Sequence, residues 1–362
     1  MLNTIISEKY ENLKDKRVVD DFVYSTTIKK YILGINKLTK SVLKYIEVDG
    51  IIDDFTRVQS SRKKEILTIE QVPKDSIILW VSTGSPLEVI NTLDAMGYTH
   101  ISYLSFYKYS SFDLVDPPFI VDFANDYKNN QKKYEKIYSL LADSKSKKVF
   151  EKVLNFKISF DYNFMKGFTN NFEEQYFDEE LIPKIKDIIF VDGGGYVGDS
   201  LPSIIKYFPD FKKIYCIEPN DLHLNIAKRN FEQYQNIEFI NCGLGKKKLL
   251  HKSDKKVQNN CAHDYQALNI NTLDNLIKEK VDFIKMDIEG AEQDAIEGAQ
   301  NIIKKYTPVL AICIYHKAED WYKVPEKVMV INPNYKIYIR HYMEGIFETV
   351  MYFIPIKKDF IT

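Results

Sequence analysis

The sequence has few of the features that mark several classes of protein. It has four cysteines in 362 residues, Cys216, Cys242, Cys261 and Cys313, and no Cys-x-x-Cys pair among them. This spacing argues against a disulfide framework and against a zinc site built on paired cysteines. We therefore interpret the cysteines as small buried apolar residues and expect a cytoplasmic protein.

An excess of charge of one sign and long apolar runs are also missing. The 50 Lys and Arg residues balance 51 Asp and Glu residues, which gives no electrostatic reason to expect nucleic acid or an anionic membrane as partner. The longest apolar stretches, such as 308–315, are too short to span a bilayer, and no signal peptide is visible. We expect a soluble chain without membrane insertion.

Strand and helix patterns alternate in two parts of the chain. In the first, strand patterns at 31–34, 48–53, 76–81 and 101–106 are separated by helical patterns at 37–45 and 86–96. Such alternation is typical of a small parallel α/β domain. A charged, mostly helical pattern follows over 123–180. We predict an α/β domain at 1–115, a helical connector at 116–180 and a second domain at 181–362.

The second part shows the stronger α/β pattern. Strands are predicted at 188–192, 213–218, 237–242, 283–287 and 309–314, with helices at 200–208, 222–234 and 291–306 and a closing antiparallel hairpin at 335–342 and 348–354. The polar, aperiodic segment 246–266 is predicted to be a mobile loop. The fold class is therefore α/β throughout.

A glycine loop follows the first strand of this second part, in the order Val191-Asp192-Gly193-Gly194-Gly195-Tyr196-Val197-Gly198. Glycines let the backbone turn sharply and let a ligand approach it closely. Glu218 stands 20 residues after Gly198, where an acidic side chain would meet ribose hydroxyls. The combination suits either a dinucleotide or S-adenosylmethionine, and a glycine turn without a ligand is the third possibility.

The charges beside the loop favour S-adenosylmethionine. A dinucleotide places its pyrophosphate on the helix N-terminus, where acidic side chains repel it. Here Asp192 precedes the glycines and Asp199-Ser200 opens the helix. S-adenosylmethionine carries an ammonium and a sulfonium group, which acidic side chains tolerate.

Several motifs in a fixed order resemble the FkbM-type S-adenosylmethionine-dependent methyltransferases over residues 188–354. They are Glu174-Gln175-Tyr176-Phe177-Asp178, the glycine loop from Phe190 to Ser200, Ile217-Glu218-Pro219-Asn220, Asn271-Thr272-Leu273-Asp274, Asp282-Phe283-Ile284-Lys285-Met286-Asp287-Ile288-Glu289-Gly290-Ala291-Glu292 and Tyr315-His316. The resemblance implies a seven-stranded Rossmann-like methyltransferase fold. It also implies an acceptor hydroxyl on a sugar or glycan precursor, in bacterial surface (capsular) polysaccharide synthesis.

The resemblance and the loop together assign the cofactor residues. These are Gln175, Tyr176, Asp192, Gly193, Gly194, Gly195, Tyr196, Gly198, Asp199, Ser200, Glu218, Pro219, Asn220, Gly243 and Asp287. The N-terminal domain looks like a degenerate nucleotide-binding module, because Gly34-Ile35-Asn36-Lys37-Leu38-Thr39 lacks the second and third glycines. We expect it to serve as a scaffold or in a homodimer.

Two residues are predicted to carry the chemistry. Methyl transfer to a hydroxyl requires alignment of the reacting groups and removal of the acceptor's proton. Asp287 and His316 end two strands that one helix separates, so the strands should be neighbours with both side chains at the ligand-binding edge. His316 is the preferred base because imidazole titrates near neutral pH. Asp287 could instead cap the following helix, and His316 could be structural.

The remaining assignments concern the substrate and the alternatives. Lys285 is predicted either to bind substrate or to pair with a carboxylate, and Glu289 and His263 are further substrate candidates. Asp287, Glu289 and His316 are the set that could hold a metal, although we expect none. The alternative functions are a nicotinamide-dependent sugar-nucleotide reductase or epimerase, suggested by the Gly-x-Gly-x-x-Gly spacing, and a catalytically inactive binding module.

Overall fold

The N-terminal part of the computed structural model is a parallel α/β layer. The structure describes residues 2, 5–6, 9–53, 66–250 and 269–356. The elements are α1 (Leu13–Tyr24), β1 (Lys30–Leu33), α2 (Lys37–Val42), β2 (Gly50–Ile52), β3 (Ile66–Leu67), β4 (Ile77–Trp80), α3 (Pro86–Ala95), β5 (Thr99–Ser102) and α4 (Tyr103–Tyr109). All five strands are parallel, in the order β3-β2-β1-β4-β5. Every residue of β4 is buried, as expected for a strand covered on both faces.

Two long helices connect the parts. They are α5 (Phe123–Leu140) and α6 (Ser144–Ser159), and they pack against each other. The helical pattern predicted to 180 ends early, because after a 3-10 turn at Tyr162–Met165 the chain is irregular as far as residue 188. Its backbone groups bond to distant partners instead: the Asn171 amide donates to Tyr342 O and the Tyr176 amide to the Tyr352 hydroxyl.

The C-terminal part contains the larger sheet. Its elements are β6 (Ile189–Gly193), α7 (Leu201–Tyr207), β7 (Lys213–Ile217), α8 (Asp221–Asn230), β8 (Ile237–Ile240), β9 (Gly243–Leu244), β10 (Leu249–Leu250), β11 (Asn269–Asn271), α9 (Leu273–Leu276), β12 (Phe283–Met286), α10 (Glu292–Glu297), α11 (Gln300–Tyr306), β13 (Val309–Cys313), α12 (Asp320–Ile331), β14 (Tyr335–His341) and β15 (Thr349–Pro355). No helix in the described part of the chain is long and apolar enough to cross a membrane.

The order of the large sheet is β14-β15-β13-β12-β6-β7-β8, and β15 runs antiparallel to both of its neighbours. Strands β6, β12 and β13 are buried along their whole length. A separate small sheet has the order β10-β11-β9. The predicted seven-stranded Rossmann-like architecture, preceded by a smaller α/β domain, is confirmed. The parallel strands bring the ends of β6, β7, β12 and β13 to one edge.

Two predicted elements differ from the structure. The strand predicted at 101–106 ends at Ser102, whose hydroxyl accepts from the Ser105 amide and starts α4. The helix predicted at 291–306 is broken into α10 and α11 at Gly298. A Cβ at Gly298 would overlap the carbonyl oxygen of Gly245, so the neighbouring loop after β9 packs directly against the backbone there. The hydrophobic periodicity of the sequence reveals neither the cap at Ser102 nor the packing of the loop against Gly298.

A carboxylate joins the two α/β parts. Glu344 lies in the turn between β14 and β15, and its Oε2 accepts from the amides of Leu87 (2.9 Å) and Glu88 (3.2 Å) in the first turn of α3. The Asn36 side chain likewise accepts from two amides that open α2. Both helix N-termini are therefore occupied by protein groups. This agrees with the degenerate glycine pattern at 34–39, and the role of the N-terminal domain as a scaffold or in a homodimer stays a prediction.

Replacing Glu344 with Ala should lower the melting temperature of the full-length protein. The change removes charged hydrogen bonds to the N-terminus of α3, which contribute about 1–3 kcal/mol. We expect a fall of several degrees. Glu47→Ala, which removes an exposed carboxylate from the N-terminal domain, is the control and should change little. Equal melting temperatures for the parent and Glu344→Ala would show that the hydrogen bonds from α3 to Glu344 do not stabilise the protein.

The helical connector contains a fully buried lysine. Lys157 in α6 donates from Nζ to Phe119 O (2.8 Å) and Tyr315 O (3.3 Å). Burial lowers the pKa of Lys157 from 10.5 to about 7, although the Asp122 carboxylate opposes the shift. Between these two pH values the unfolded chain binds a proton at this site that the folded chain does not.

The stability of the protein should therefore rise with pH between about 7 and 10, by up to about 1.4 kcal/mol per pH unit from this one group. Denaturant unfolding at pH 7, 8 and 9 should show this rise in the parent and a flatter profile in Lys157→Met. The Lys145→Met variant, at an exposed lysine of the same helix, should keep the parent's slope. If the free energy of unfolding changes with pH by the same amount in the parent and in Lys157→Met, the lowered pKa of Lys157 is refuted.

Candidate active site

The glycine loop, residues 193–198, follows β6 and lies against the two strands that flank it, β12 and β7. Gly194 has a φ of +78°, and a Cβ there would overlap the carbonyl oxygen of Asp287 after β12. A Cβ on Gly195 would overlap the sulfur of Cys216 in β7. Glycine is required at position 194, where the clash is with backbone and φ is positive, whereas a Cβ at position 195 would have to displace the Cys216 thiol. The predicted loop is thus a close-packed turn at the ligand-binding edge of the sheet.

A buried ion pair holds this loop. Asp192 and Lys285 are paired in register on β6 and β12, so their side chains project side by side. Lys285 Nζ lies 2.9 Å from Asp192 Oδ1 and donates to Gly194 O at 2.8 Å. The Ser200 hydroxyl donates to the other Asp192 oxygen at 2.5 Å. Lys285 was predicted either to bind substrate or to pair with a carboxylate, and in the structure it pairs with the Asp192 carboxylate.

The charge of Lys285 is maintained despite its burial. Burial by itself lowers the pKa of Lys285, but Asp192 and Asp287 outweigh that effect and hold the pKa above its usual value. The side chain is only 4% exposed. Its charge is therefore used inside the protein, and its contacts do not support a direct contact with substrate.

Glu218 follows β7 directly and lies next to the glycine loop. Its two oxygens accept from the backbone amides of Tyr196 (3.1 Å) and Asn220 (2.8 Å). His223 Nδ1 lies 3.9 Å from Oε1. A carboxylate has about four lone-pair directions, so the two amide bonds leave lone pairs for ribose hydroxyls. The Asn220 side chain caps α8, which begins at Asp221. The local backbone thus orients the Glu218 carboxylate before any ligand arrives.

Asp287 lies at the adjoining strand end, immediately after β12. Its amide donates to Gly193 O, which ties it to the glycine loop. Its Oδ1 accepts from the Tyr315 hydroxyl at 3.0 Å and its Oδ2 from the Tyr176 hydroxyl at 3.1 Å. The side chain is 22% exposed. It does not cap α10, whose N-cap residue is Ala291. Asp287 is therefore fixed in orientation and still reachable from outside.

His316 follows β13 and lies beside Asp287. Its Nε2 is 3.5 Å from Asp287 Oδ1 and 3.7 Å from Glu289 Oε2, and its Nδ1 is 3.0 Å from Glu292 Oε1. The ring is only 1% exposed. Burial alone lowers the pKa of His316, but the three carboxylates, Glu292 foremost, outweigh it and raise the pKa. The ring is thus oriented by Glu292 and directed at Asp287.

The sequence did not reveal Glu348 as a site residue. It precedes β15 with a φ of +61°, and Gln175 donates to its carboxylate. Burial and the nearby Asp287 carboxylate raise the pKa of Glu348. Neither a motif nor a local pattern marks this residue, because its contacts join segments far apart in the sequence. Tyr315, by contrast, lay inside a recognised motif but had no assigned role.

The other predicted residues fall into three groups. Gln175 and Tyr176 lie in the site, where Gln175 also donates to the Tyr176 hydroxyl. Gly243 lies in β9 and pairs with Ile270, so it belongs to the small sheet beside the loop. His263 lies outside the described residues, as does most of the segment predicted to be a loop.

One family model matches this part of the chain. The Methyltransferase FkbM domain matches residues 192–332. The matched segment contains the glycine loop, Glu218, Asp287 and His316, which are the residues that the sequence resemblance singled out. No curated protein matches the chain.

Solved structures show how far the fold extends. Methyltransferase FkbM from Methylobacillus flagellatus KT is 22% identical, with a TM-score of 0.74 over 94% of this chain and 93% of that one. At this identity the likeness shows the fold, and it includes the N-terminal part. Aeropyrum pernix fibrillarin, in complex with natively bound S-adenosyl-L-methionine, is 14% identical over 48% of this chain and 69% of its own, with a TM-score of 0.33.

The residues of the matched segment fit S-adenosylmethionine, the methyl donor that the sequence resemblance implies. Glu218 has lone pairs left for the ribose, and Asp192, Asp199 and Asp287 surround the loop with negative charge. Burial raises the pKa of Asp199, with Lys285 opposing the shift. Acidic surroundings suit a ligand with ammonium and sulfonium groups and repel a pyrophosphate.

Glu218→Ala should weaken the binding of S-adenosylhomocysteine by about 10–100-fold, because a charged hydrogen bond contributes about 1.5–3 kcal/mol. Isothermal titration calorimetry on the full-length protein measures this. Glu238→Ala is the matched control, since Glu238 is a half-exposed glutamate on the adjacent strand β8 that pairs with Lys213. An affinity that is unchanged in Glu218→Ala would rule out its ribose role.

Proposed function

We propose that this protein is an S-adenosylmethionine-dependent O-methyltransferase that acts on a hydroxyl of a sugar or glycan precursor. The observation that carries the proposal is the position of Asp287 and His316, 3.5 Å apart at the ends of adjacent strands and next to the glycine loop. The sequence resemblance supports the choice of acceptor. The proposal places the reaction in the cytoplasm, in the synthesis of bacterial capsular polysaccharide.

Proton removal is assigned to Asp287. When bound, S-adenosylmethionine supplies an electrophilic methyl group on a sulfonium. A sugar hydroxyl is a very weak acid, so its proton must be accepted as the bond to oxygen forms. Asp287 is reachable and oriented by the hydroxyls of Tyr176 and Tyr315, whereas the His316 ring is almost completely covered.

This assignment changes the hypothesis drawn from the sequence, in which His316 was the base. His316 is instead a positioning residue: Glu292 holds Nδ1, and Nε2 faces the Asp287 carboxylate. A cationic ring there stabilises the ionised form of Asp287. Exposure decides between the two side chains, and exposure is not visible in the sequence.

The surface beside Asp287 suits a polyhydroxylated acceptor. The Glu289 side chain is 71% exposed and lies on the same side as His316 Nε2. Carboxylate oxygens accept hydrogen bonds from sugar hydroxyls. Glu289 therefore keeps its proposed substrate role, whereas Lys285 is committed to Asp192 and the glycine loop.

The two alternatives have less support. A nicotinamide-dependent reductase or epimerase would need a pyrophosphate near Asp192 and Asp199, where the acidic surroundings disfavour it. A catalytically inactive module would bind S-adenosylhomocysteine and transfer no methyl group, so turnover distinguishes it from the proposal.

The acceptor class is tested by incubating the full-length protein with S-adenosylmethionine carrying a labelled methyl group and a panel of nucleotide-linked sugars, sugar phosphates and oligosaccharides. Mass spectrometry should find a mass increase of one methyl group on at least one sugar, stable to mild base as an ether is. A base-labile product would indicate an ester. Labelling of no sugar, under conditions in which S-adenosylhomocysteine binds, would overturn the proposal.

Asp287→Asn should lower turnover by about 10²–10⁴-fold and leave the affinity for S-adenosylhomocysteine within a few-fold of the parent. His316→Asn should lower turnover less, because it removes only the support for the carboxylate. Asp294→Asn, an exposed carboxylate on α10, is the control. A greater loss in a folded His316→Asn protein than in Asp287→Asn would return the role of base to His316.

A further inference from the structure

Two half-buried phenylalanines lie together beside the site. Phe119 precedes the first connector helix α5, and Phe347 lies in the turn between β14 and β15. Their ring centroids are 5.9 Å apart, and both rings pack against the two hydrophobic clusters of the larger domain and connector. Neither residue belongs to the matched segment 192–332. The pair therefore comes from parts of the chain that the family model does not cover.

The two rings pack against the residues that support Asp287. Phe119 meets the His316 ring edge to face, with centroids 5.0 Å apart and planes at 89°. The Tyr315 ring lies 5.9 Å from Phe119 and 6.0 Å from Phe347. Tyr315 in turn donates its hydroxyl to Asp287 Oδ1. The phenylalanine pair is thus one residue away from the carboxylate to which proton removal is assigned.

The position of Phe119 is maintained by an unusual set of contacts. Its φ is +54°, a region that residues other than glycine rarely adopt. Such a conformation persists only where the surroundings fix it, and it is found most often at functional sites. Here the buried Lys157 donates from Nζ to the carbonyls of both Phe119 (2.8 Å) and Tyr315 (3.3 Å). One lysine therefore fixes two of the rings relative to each other.

Partly exposed aromatic rings beside carboxylates have the chemistry of a sugar-binding surface. A pyranose ring carries hydroxyls around its rim and C–H groups on its faces. The negative face of an aromatic ring attracts the C–H groups, and carboxylate oxygens accept from the hydroxyls. The carboxylates of Asp287 and Glu289 face the same imidazole ring that Phe119 packs against. Aromatic walls with a few converging polar groups are typical of small-molecule sites.

We propose that Phe119 and Phe347 form one wall of the acceptor subsite and contact the C–H face of a pyranose ring, one of whose hydroxyls then faces Asp287. The choice of occupant rests on the proposed function. The subsite uses the connector and the β14–β15 turn, so acceptor specificity is determined by segments outside residues 192–332.

The test is saturation-transfer-difference NMR on full-length protein saturated with S-adenosylhomocysteine. The probes are the methyl glycosides of glucose, galactose, mannose and N-acetylglucosamine at millimolar concentration, together with any sugar that the methyl-labelling assay identifies. Irradiation of the aromatic protons of the protein should transfer saturation to at least one sugar, most strongly to the C–H protons of its ring.

Phe119→Leu and Phe347→Leu should each weaken binding of that sugar by at least about tenfold, because leucine keeps the apolar volume and removes the aromatic face. Phe119→Tyr, which keeps the ring, should bind like the parent. The affinity for S-adenosylhomocysteine should stay within a few-fold in all variants, which also shows that they are folded. The matched control is Phe168→Leu, since Phe168 is a half-buried phenylalanine that packs on another histidine, His341, at 4.9 Å and 76°.

The inference is overturned if folded, cofactor-bound protein binds none of these sugars, or if the sugar binds equally to the parent and to both leucine variants of the pair. An equal loss in Phe168→Leu would also overturn it, because the effect would then not be specific to the pair. Methylation of a sugar with an unchanged KM in both variants would leave the proposed function standing and refute the subsite. Ring-dependent sugar binding without methyl transfer to any sugar would leave the subsite standing and refute the proposed function.

Discussion

The buried ion pair of Asp192 and Lys285 is the interaction on which the rest of the site depends. The pair joins the two central strands β6 and β12 at the edge where ligands bind, and Lys285 also bonds the carbonyl of Gly194. Removal of one partner would leave an uncompensated buried charge, which costs about 3–5 kcal/mol. The glycine loop keeps its shape because Lys285 bonds Gly194 at its start and Asp192 accepts a hydrogen bond from Ser200 after its end.

The remaining acidic groups are arranged around that fixed loop. Glu218 is directed by two backbone amides, Asp287 by two tyrosine hydroxyls, and His316 by Glu292. Each charged side chain is thus held before any ligand arrives, which lowers the reorganisation needed on binding. The consequence is an edge of the sheet lined by carboxyl groups, which suits cationic ligands rather than phosphates.

The β14–β15 turn connects this site to the N-terminal domain. Glu344 bonds the first turn of α3, and Glu348, four residues later in the same turn, lies next to Gln175 and Asp287. Lys157 of the connector bonds the carbonyl of Tyr315, the neighbour of His316. The N-terminal parts of the chain therefore contribute to the position of the site residues, even though the family match covers only residues 192–332.

The sequence by itself determined the α/β class, the parallel strands at the core of the second domain and the glycine loop. It also determined the candidates Glu218, Asp287 and His316. These follow from local signals, namely alternating hydrophobic patterns, glycines after a strand and acidic residues at strand ends. The break at Gly298, the pairing of Lys285 with Asp192 and the presence of Glu348 were decided only by the tertiary structure. Each depends on contacts between distant segments, and the burial of His316, which changes its proposed role, arises in the same way.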